Sequence, residues 1–76
     1  MFQIVNKVPE GCKRFITVYQ PMVGWKAVEY WWNTDMGDIG GFWEPWETGY
    51  CSYATRVEAV VDATMWAKSE NLPLVI

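Results

Sequence analysis

The stretch TRVEAVVDATMWAKSENLP, residues 55–73, decides the fold. It begins with the pattern Thr-x-x-Glu, in which Thr55 and Glu58 can satisfy free amides at a helix N-terminus as a capping box. Helix-forming residues continue to Glu70, and Asn71 is a residue type that commonly ends helices. The stretch therefore predicts one helix that begins after Thr55 and ends at Glu70.

The predicted helix has an apolar side and a polar side. Glu58, Asp62 and Ser69 share the polar arc. Trp66 falls nearly opposite the centre of the apolar arc, so either a loop or the C-terminal strand packs over it, or it is displayed beside the acidic side chains. We expect the apolar arc to lie on a sheet. At about 100° per residue, that arc holds Val57, Val60, Val61, Ala63, Thr64, Met65 and Ala67.

Four strands are predicted before the helix and one after it. Short turns between consecutive strands favour antiparallel neighbours, and Pro45 places the fourth strand at an edge or in a bulge. The predicted fold is α+β, in the order β-β-β-β-α-β: a mostly antiparallel meander with one amphipathic helix on one face, in a single domain of residues 1–76. The strand segments are residues 2–8, 13–20, 25–33, 42–48 and 72–76.

The six Trp, four Tyr and three Phe raise the question of what covers the second face of the sheet. One helix covers one face, and successive strand residues point to opposite faces. We expect Ile16, Val18 and Val28 to face the helix. An uncovered aromatic face is typical of an interaction site; the alternative is that residues 34–41 or 50–54 fold over the rings. The uncovered face would carry Phe15, Thr17, Tyr19, Trp25, Glu29 and Trp31.

Charge and residue types exclude several kinds of chemistry. The net charge of −3 and only six scattered cations disfavour binding to duplex nucleic acid or to an anionic membrane. The absence of histidine excludes Ser-His and Cys-His catalysis and histidine-ligated metals. Cys12 and Cys51 lack C-x-x-C spacing and are predicted to be free thiols. We therefore predict no catalytic residue, no metal site, no cofactor and, without a signal peptide pattern, a cytoplasmic location.

Glu44 and Glu47 flank Trp46, an arrangement that resembles the carboxylates and sugar-stacking ring of a glycosidase. Residues three apart on a regular strand point to opposite faces, so this pairing fails unless Pro45 bends the chain. Exposed rings also stack on nucleobases. A module that binds sugar or single-stranded nucleic acid is therefore kept as an alternative function.

The segments EPWETG (residues 44–49) and YATRVEAVVDATMWAKSENLP (residues 53–73), with the total length, resemble small uncharacterised proteins of bacteriophages and their bacterial hosts. Such proteins commonly end in two strands followed by a T-x-x-E-A helix that carries a W-A-x-x-E turn. The resemblance covers residues 42–73. The layout is also similar to small anti-CRISPR and other phage anti-host proteins, with which the chain shares no motif, so this similarity implies no functional residues.

Together these observations predict a non-enzymatic protein that binds another protein through an aromatic and acidic surface. The resemblance implies that the partner is a host factor. A homodimer in which two such faces pack together is the remaining alternative. The predicted contact residues are Phe15, Tyr19, Trp25, Trp31, Trp43, Trp46, Glu58, Asp62 and Trp66.

Overall fold

One mixed β-sheet and one helix form the part of the chain that the computed structural model describes, residues 1–34, 40–49 and 51–76. The predicted α+β class and the order β-β-β-β-α-β are confirmed. The first strand is much shorter than predicted, whereas the fourth strand and the helix have the predicted bounds. The elements are β1 (Ile4–Val5), β2 (Arg14–Tyr19), β3 (Lys26–Asn33), β4 (Phe42–Thr48), α1 (Arg56–Glu70) and β5 (Leu74–Val75).

The strand order across the sheet is β1-β5-β2-β3-β4. β2, β3 and β4 form the predicted antiparallel meander. β5 lies between β1 and β2 and is parallel to both, so the expected pairing of the first two strands is wrong. Parallel pairing needs a long crossover connection. The chain from β4 through α1 supplies that connection and brings the C-terminal segment to β2.

Burial of Leu74 explains why β5 takes the place beside β2. Leu74 is completely buried, and its Cα partners are Ile4 on one side and Ile16 on the other. Its N–H donates to the Gln3 carbonyl at 2.8 Å, and the Ile16 N–H donates to the Pro73 carbonyl at 3.0 Å. β5 thus brings a core side chain and a full set of backbone partners to the centre of the sheet.

The register between β2 and β3 determines which side chains face the helix. Ile16 and Ala27 belong to the buried core that contains residues of α1. Val28 pairs with Thr17, and directly paired residues share a face, so Val28 lies on the face away from α1. The prediction that Val28 faces the helix is wrong, and Glu29 and Trp31 lie on the helix side instead, paired with Ile16 and Arg14.

The side of α1 that packs on the sheet is made of alanines. Ala59, Ala63 and Ala67 are completely buried, and Trp66 packs against the same core. The exposed fractions of Val57, Val61 and Met65 are 72%, 57% and 68%. The prediction that these three side chains pack on the sheet is therefore wrong. The buried face is rotated by about 100°, one residue, from the predicted arc. Small alanines allow the helix to lie close to the sheet, and Trp66 fills the space beside it.

Both ends of α1 show the predicted capping residues. The Thr55 hydroxyl accepts from the Glu58 N–H at 3.3 Å, as the capping box predicts. The Glu58 carboxylate accepts from the Thr55 hydroxyl at 2.9 Å, whereas the capping box predicts that it accepts from the Thr55 backbone N–H. Asn71 has left-handed dihedral angles, and the Leu72 N–H reaches back to the Ala67 carbonyl at 2.9 Å. The Asn71 side chain also accepts from the Phe2 N–H at 2.9 Å and so ties the start of the chain to the end of the helix.

The alanine packing makes a prediction about stability. Replacing Ala63 with Leu should lower the free energy of unfolding by about 1–3 kcal/mol, because the added atoms have no space between helix and sheet. The matched control, Val61→Leu on the exposed side of α1, should change it by less than about 0.5 kcal/mol. Urea unfolding followed by circular dichroism measures both. Equal effects of the two substitutions would contradict the observed orientation of the helix.

Candidate functional site

The face of the sheet away from α1 carries a connected group of aromatic rings. Phe15 stacks on Tyr30 with ring centroids 5.3 Å apart and meets Trp43 edge to face at 4.7 Å. Trp43 in turn meets Trp32 edge to face at 5.2 Å. Edge-to-face and offset-stacked pairs stabilise one another beyond simple burial. We call this surface the open face and define it by Phe15, Tyr19, Val28, Tyr30, Trp32 and Trp43.

A cavity of about 370 Å³ lies on the open face, lined by Tyr19, Val28, Tyr30, Pro45 and Thr48. Val28 at its floor is only 1% exposed although no described helix or strand covers this face. The neighbouring side chains themselves therefore shield Val28 and leave a concave apolar surface.

A lysine lies at each end of the open face. The Lys13 Nζ is 5.8 Å from the centroid of the Trp32 ring, and Lys26 pairs with Tyr19 at the far end of β3. Trp32 lies six positions after Lys26 along β3, which corresponds to about 20 Å. The open face is thus an apolar strip with a positive charge at either end.

Gly41 makes room for the Trp32 ring. Its φ of +113° is strained for any other residue, and a Cβ at this position would lie 2.6 Å from the ring. The glycine just before β4 therefore permits the approach of backbone and indole that seats Trp32 beside Trp43.

A second cluster lies on the helix side of the sheet and is centred on Trp31. The Trp31 ring stacks on Trp46 with centroids 4.9 Å apart, and the Arg14 guanidinium lies 4.6 Å from the Trp31 centroid. The carboxylate of Glu29 accepts from Arg14 Nε at 3.0 Å, from Arg14 Nη2 at 2.9 Å and from the Trp31 indole N–H. We call Arg14, Glu29, Trp31 and Trp46 the Trp31 stack.

A β-bulge in β4 aligns acidic side chains with the Trp31 stack. Glu44 pairs with Trp31 and Glu47 pairs with Glu29, so Trp46 is the extra residue between them. Both carboxylates therefore lie on the helix side. The sequence allowed Glu44 and Glu47 to share a face only if the chain departs from a regular strand near Pro45, and the bulge is that departure. The prediction that Pro45 marks an edge strand or a bulge is confirmed, since β4 is both.

Further carboxylates line a groove between β4 and α1. This groove has a volume of about 320 Å³, and its walls include Glu47, Asp62, Trp66 and Glu70. Glu70 also lies 4.0 Å from the Arg14 guanidinium. The helix side is therefore acidic, in contrast to the open face.

Tyr53 borders a hollow of about 300 Å³ with Val61, Asp62 and Met65 on the outer side of α1. Desolvation raises the pKa of the Tyr53 phenol, and the hydrogen bond with Cys51 and the charge of Asp62 raise it further. The phenol therefore remains a neutral hydrogen-bond donor at physiological pH.

The structure distributes the nine predicted contact residues over both sides of the sheet. Phe15, Tyr19 and Trp43 lie on the open face. Trp25 forms an isolated backbone bridge with Tyr53. The other five lie on the helix side or on α1: Trp31, Trp46, Glu58, Asp62 and Trp66.

Val28, Tyr30 and Trp32 of the open face, and the lysines Lys13 and Lys26 at its ends, were not among the predicted contact residues. The alternation within β3 already groups Tyr30 and Trp32 with Val28, and that grouping was the signal that could have found them. The aromatic and acidic residues that were predicted to form one surface therefore belong to two surfaces of opposite charge.

Comparisons with models of protein families, with curated proteins and with solved structures find no match to this chain. Within residues 1–34, 40–49 and 51–76, no group of three His, Cys, Asp or Glu side chains could hold a metal ion. In the same part of the chain, no helix has the length and apolar character needed to cross a membrane. Cys12 and Cys51 are free thiols.

The Trp31 stack predicts unequal effects of removing the two charged partners. Glu29 is 3% exposed and Arg14 is 36% exposed. Replacing Arg14 with Met leaves a buried carboxylate without its cation and should lower the free energy of unfolding by about 3–5 kcal/mol. Replacing Glu29 with Gln should cost only about 1–2 kcal/mol, because the amide oxygen still accepts from Trp31 and Arg14 can turn to water.

Chemical denaturation of both variants measures this difference, with Lys7→Met at an exposed position after β1 as the control. A larger loss for Glu29→Gln than for Arg14→Met would contradict the view that the buried carboxylate is the group that needs a partner.

Proposed function

We propose that this protein is a non-enzymatic binding protein that docks another protein on the open face. The observation that carries the proposal is the cluster of rings on the side of the sheet opposite α1. Phe15 is buried at 8% exposure, and the rings of Tyr19, Tyr30, Trp32 and Trp43 are half-buried, so part of each of these four rings still faces water. A partly exposed apolar cluster of this kind is typical of an interaction site, and Trp and Tyr are the residues that most often anchor protein interfaces.

The charges of the open face indicate the chemistry of the partner. Lys13 and Lys26 lie at the two ends of an apolar strip about 20 Å long. A complementary segment would present apolar side chains to the cavity beside Val28 and carboxylates to the two lysines. An amphipathic helix of about thirteen residues has the required length. The partner is therefore a protein with an acidic, amphipathic segment.

The resemblance to small bacteriophage proteins adds the proposal that this partner is a factor of the bacterial host, met in the host cytoplasm. Binding alone would be the mode of action. The rings would provide affinity, and the lysines would steer the encounter and fix its orientation.

Single-stranded nucleic acid is the competing ligand for the same face, since rings and lysines together also suit stacked bases. Two cations release few counterions, and the net charge of −3 repels a phosphate backbone. A protein partner is favoured for this reason.

Selection from a random peptide library tests the proposal. We expect peptides retained by the wild-type protein to be rich in Asp, Glu and aliphatic residues. Their affinity should fall at least about tenfold in the Lys13→Glu/Lys26→Glu double variant and in Tyr19→Ala, which removes a wall of the cavity. The matched control is Val57→Ala, which truncates an exposed apolar side chain on α1 and should leave binding unchanged.

Several outcomes would overturn the proposal. Selected peptides that carry mainly basic residues would contradict it, as would peptides that bind the Lys13→Glu/Lys26→Glu variant as well as the wild type. A thymidine oligonucleotide that displaces the peptides from the open face would make nucleic acid the ligand. A dimeric mass in light scattering that becomes monomeric in Tyr19→Ala would make a second copy of this chain the occupant.

A further inference from the structure

The exposed indole of Trp46 is held in a fixed orientation. Trp46 is 59% exposed, and its ring lies on Trp31 at an interplanar angle of 25°. Arg14 and Trp46 belong to the strands on either side of β3, so the Trp31 ring is held from both sides. A ring that is already immobilised loses little conformational freedom when it binds a ligand.

Glu29 supports this arrangement from inside the sheet. Its buried Oε2 atom accepts from both Arg14 and the Trp31 indole, which fixes the guanidinium and the ring relative to each other. The Trp31 stack thus contains a complete example of guanidinium recognition: a flat cation on an indole, oriented by a carboxylate.

The exposed side of Trp46 also combines an indole ring with nearby carboxylates, but no cation among the described residues stacks on it. Glu44 shares with Trp46 a cavity of about 220 Å³ lined also by Trp31, Trp32 and Asn33. Its Oε2 atom accepts from Asn33 Nδ2 at 2.8 Å, and this bond orients the carboxylate. Glu47 follows Trp46 on the same side of the sheet, at the mouth of the acidic groove with Asp62. The exposed indole is therefore bordered by carboxylates on both sides along β4.

We propose that Trp46, together with Glu44 and Glu47, binds an arginine side chain of a partner protein. The guanidinium would stack on the indole of Trp46, and the carboxylates would accept its N–H donors. This site lies on the opposite side of the sheet from the open face and involves the opposite charge. It therefore does not depend on the docking proposed there.

Arginine fits this site better than lysine or a sugar. Its planar cation stacks on indole and forms paired hydrogen bonds with carboxylates, whereas the ammonium of lysine is a compact, strongly hydrated charge. A neutral sugar could stack on Trp46, but it would gain nothing from the surplus of carboxylates on this side.

Three matched peptides test the proposal: one with several arginines spaced by Gly and Ser, and two in which lysine or citrulline replaces every arginine. Citrulline keeps the planar shape without the charge. Binding is followed through the indole N–H resonance of Trp46, identified by its loss in Trp46→Leu, and through its dependence on salt. We expect the arginine peptide to shift this resonance and to bind at least about tenfold more tightly than the citrulline peptide.

The variants separate this site from general attraction to an acidic protein. Glu44→Gln and Glu47→Gln should each weaken binding of the arginine peptide several-fold, whereas Glu58→Gln on α1 and Lys7→Gln at an exposed position after β1 should not. Trp46→Tyr, which keeps a stacked ring on Trp31, should bind measurably, and Trp46→Leu should lose at least about tenfold. Thermal unfolding of Trp46→Leu shows whether its fold is kept.

Four results would overturn the inference. They are equal affinity for the arginine and lysine peptides, equal affinity for the arginine and citrulline peptides, an equal loss in Glu58→Gln and Glu44→Gln, and a Trp46 resonance that responds to oligosaccharides but not to the arginine peptide. The last result would identify Trp46 as a sugar-stacking platform.

Discussion

The close contact between α1 and the sheet limits where the tryptophan rings can lie. The core cluster between α1 and the sheet consists of small and aliphatic side chains, and the distance between packed elements follows the size of the side chains between them. A helix seated on alanines leaves no layer thick enough for an indole. The indoles of Trp32 and Trp43 therefore lie on the open face. Those of Trp31, Trp46 and Trp66 lie on the helix side, beside the alanine contact. The core residues are Ile16, Ala27, Ala63, Ala67 and Leu74.

Strands β3 and β4 direct charged side chains to different faces of the sheet. Alternation in β3 sends Lys26 to the open face and Glu29 to the helix side, and the bulge at Trp46 keeps both Glu44 and Glu47 on the helix side. A regular β4 strand would have placed one of these carboxylates among the rings of the open face. One extra residue in an edge strand therefore produces an apolar face with lysines and an acidic face with tryptophans.

Features set by local sequence could be predicted, and features set by pairing between distant segments could not. Thr55 and Asn71 determine the bounds of α1 through contacts within a few residues, and Pro45 indicates the edge strand and its bulge. The face of Val28 depends on its partner Thr17, which alternation within one strand does not reveal. The insertion of β5 depends on the burial of Leu74 between two remote strands. The residues that the sequence assigned to one contact surface are therefore divided between two faces of the sheet.

Adjacent residues of β3 connect the two candidate surfaces. Trp32 packs on Trp43 on the open face, and Trp31 stacks on Trp46 on the helix side. Because β4 is an edge strand with β3 as its neighbour in the sheet, each of these ring contacts adds to the hydrogen bonds that hold it. A displacement of β4 relative to β3 would therefore disturb both candidate surfaces at once, because it would separate Trp32 from Trp43 and Trp31 from Trp46.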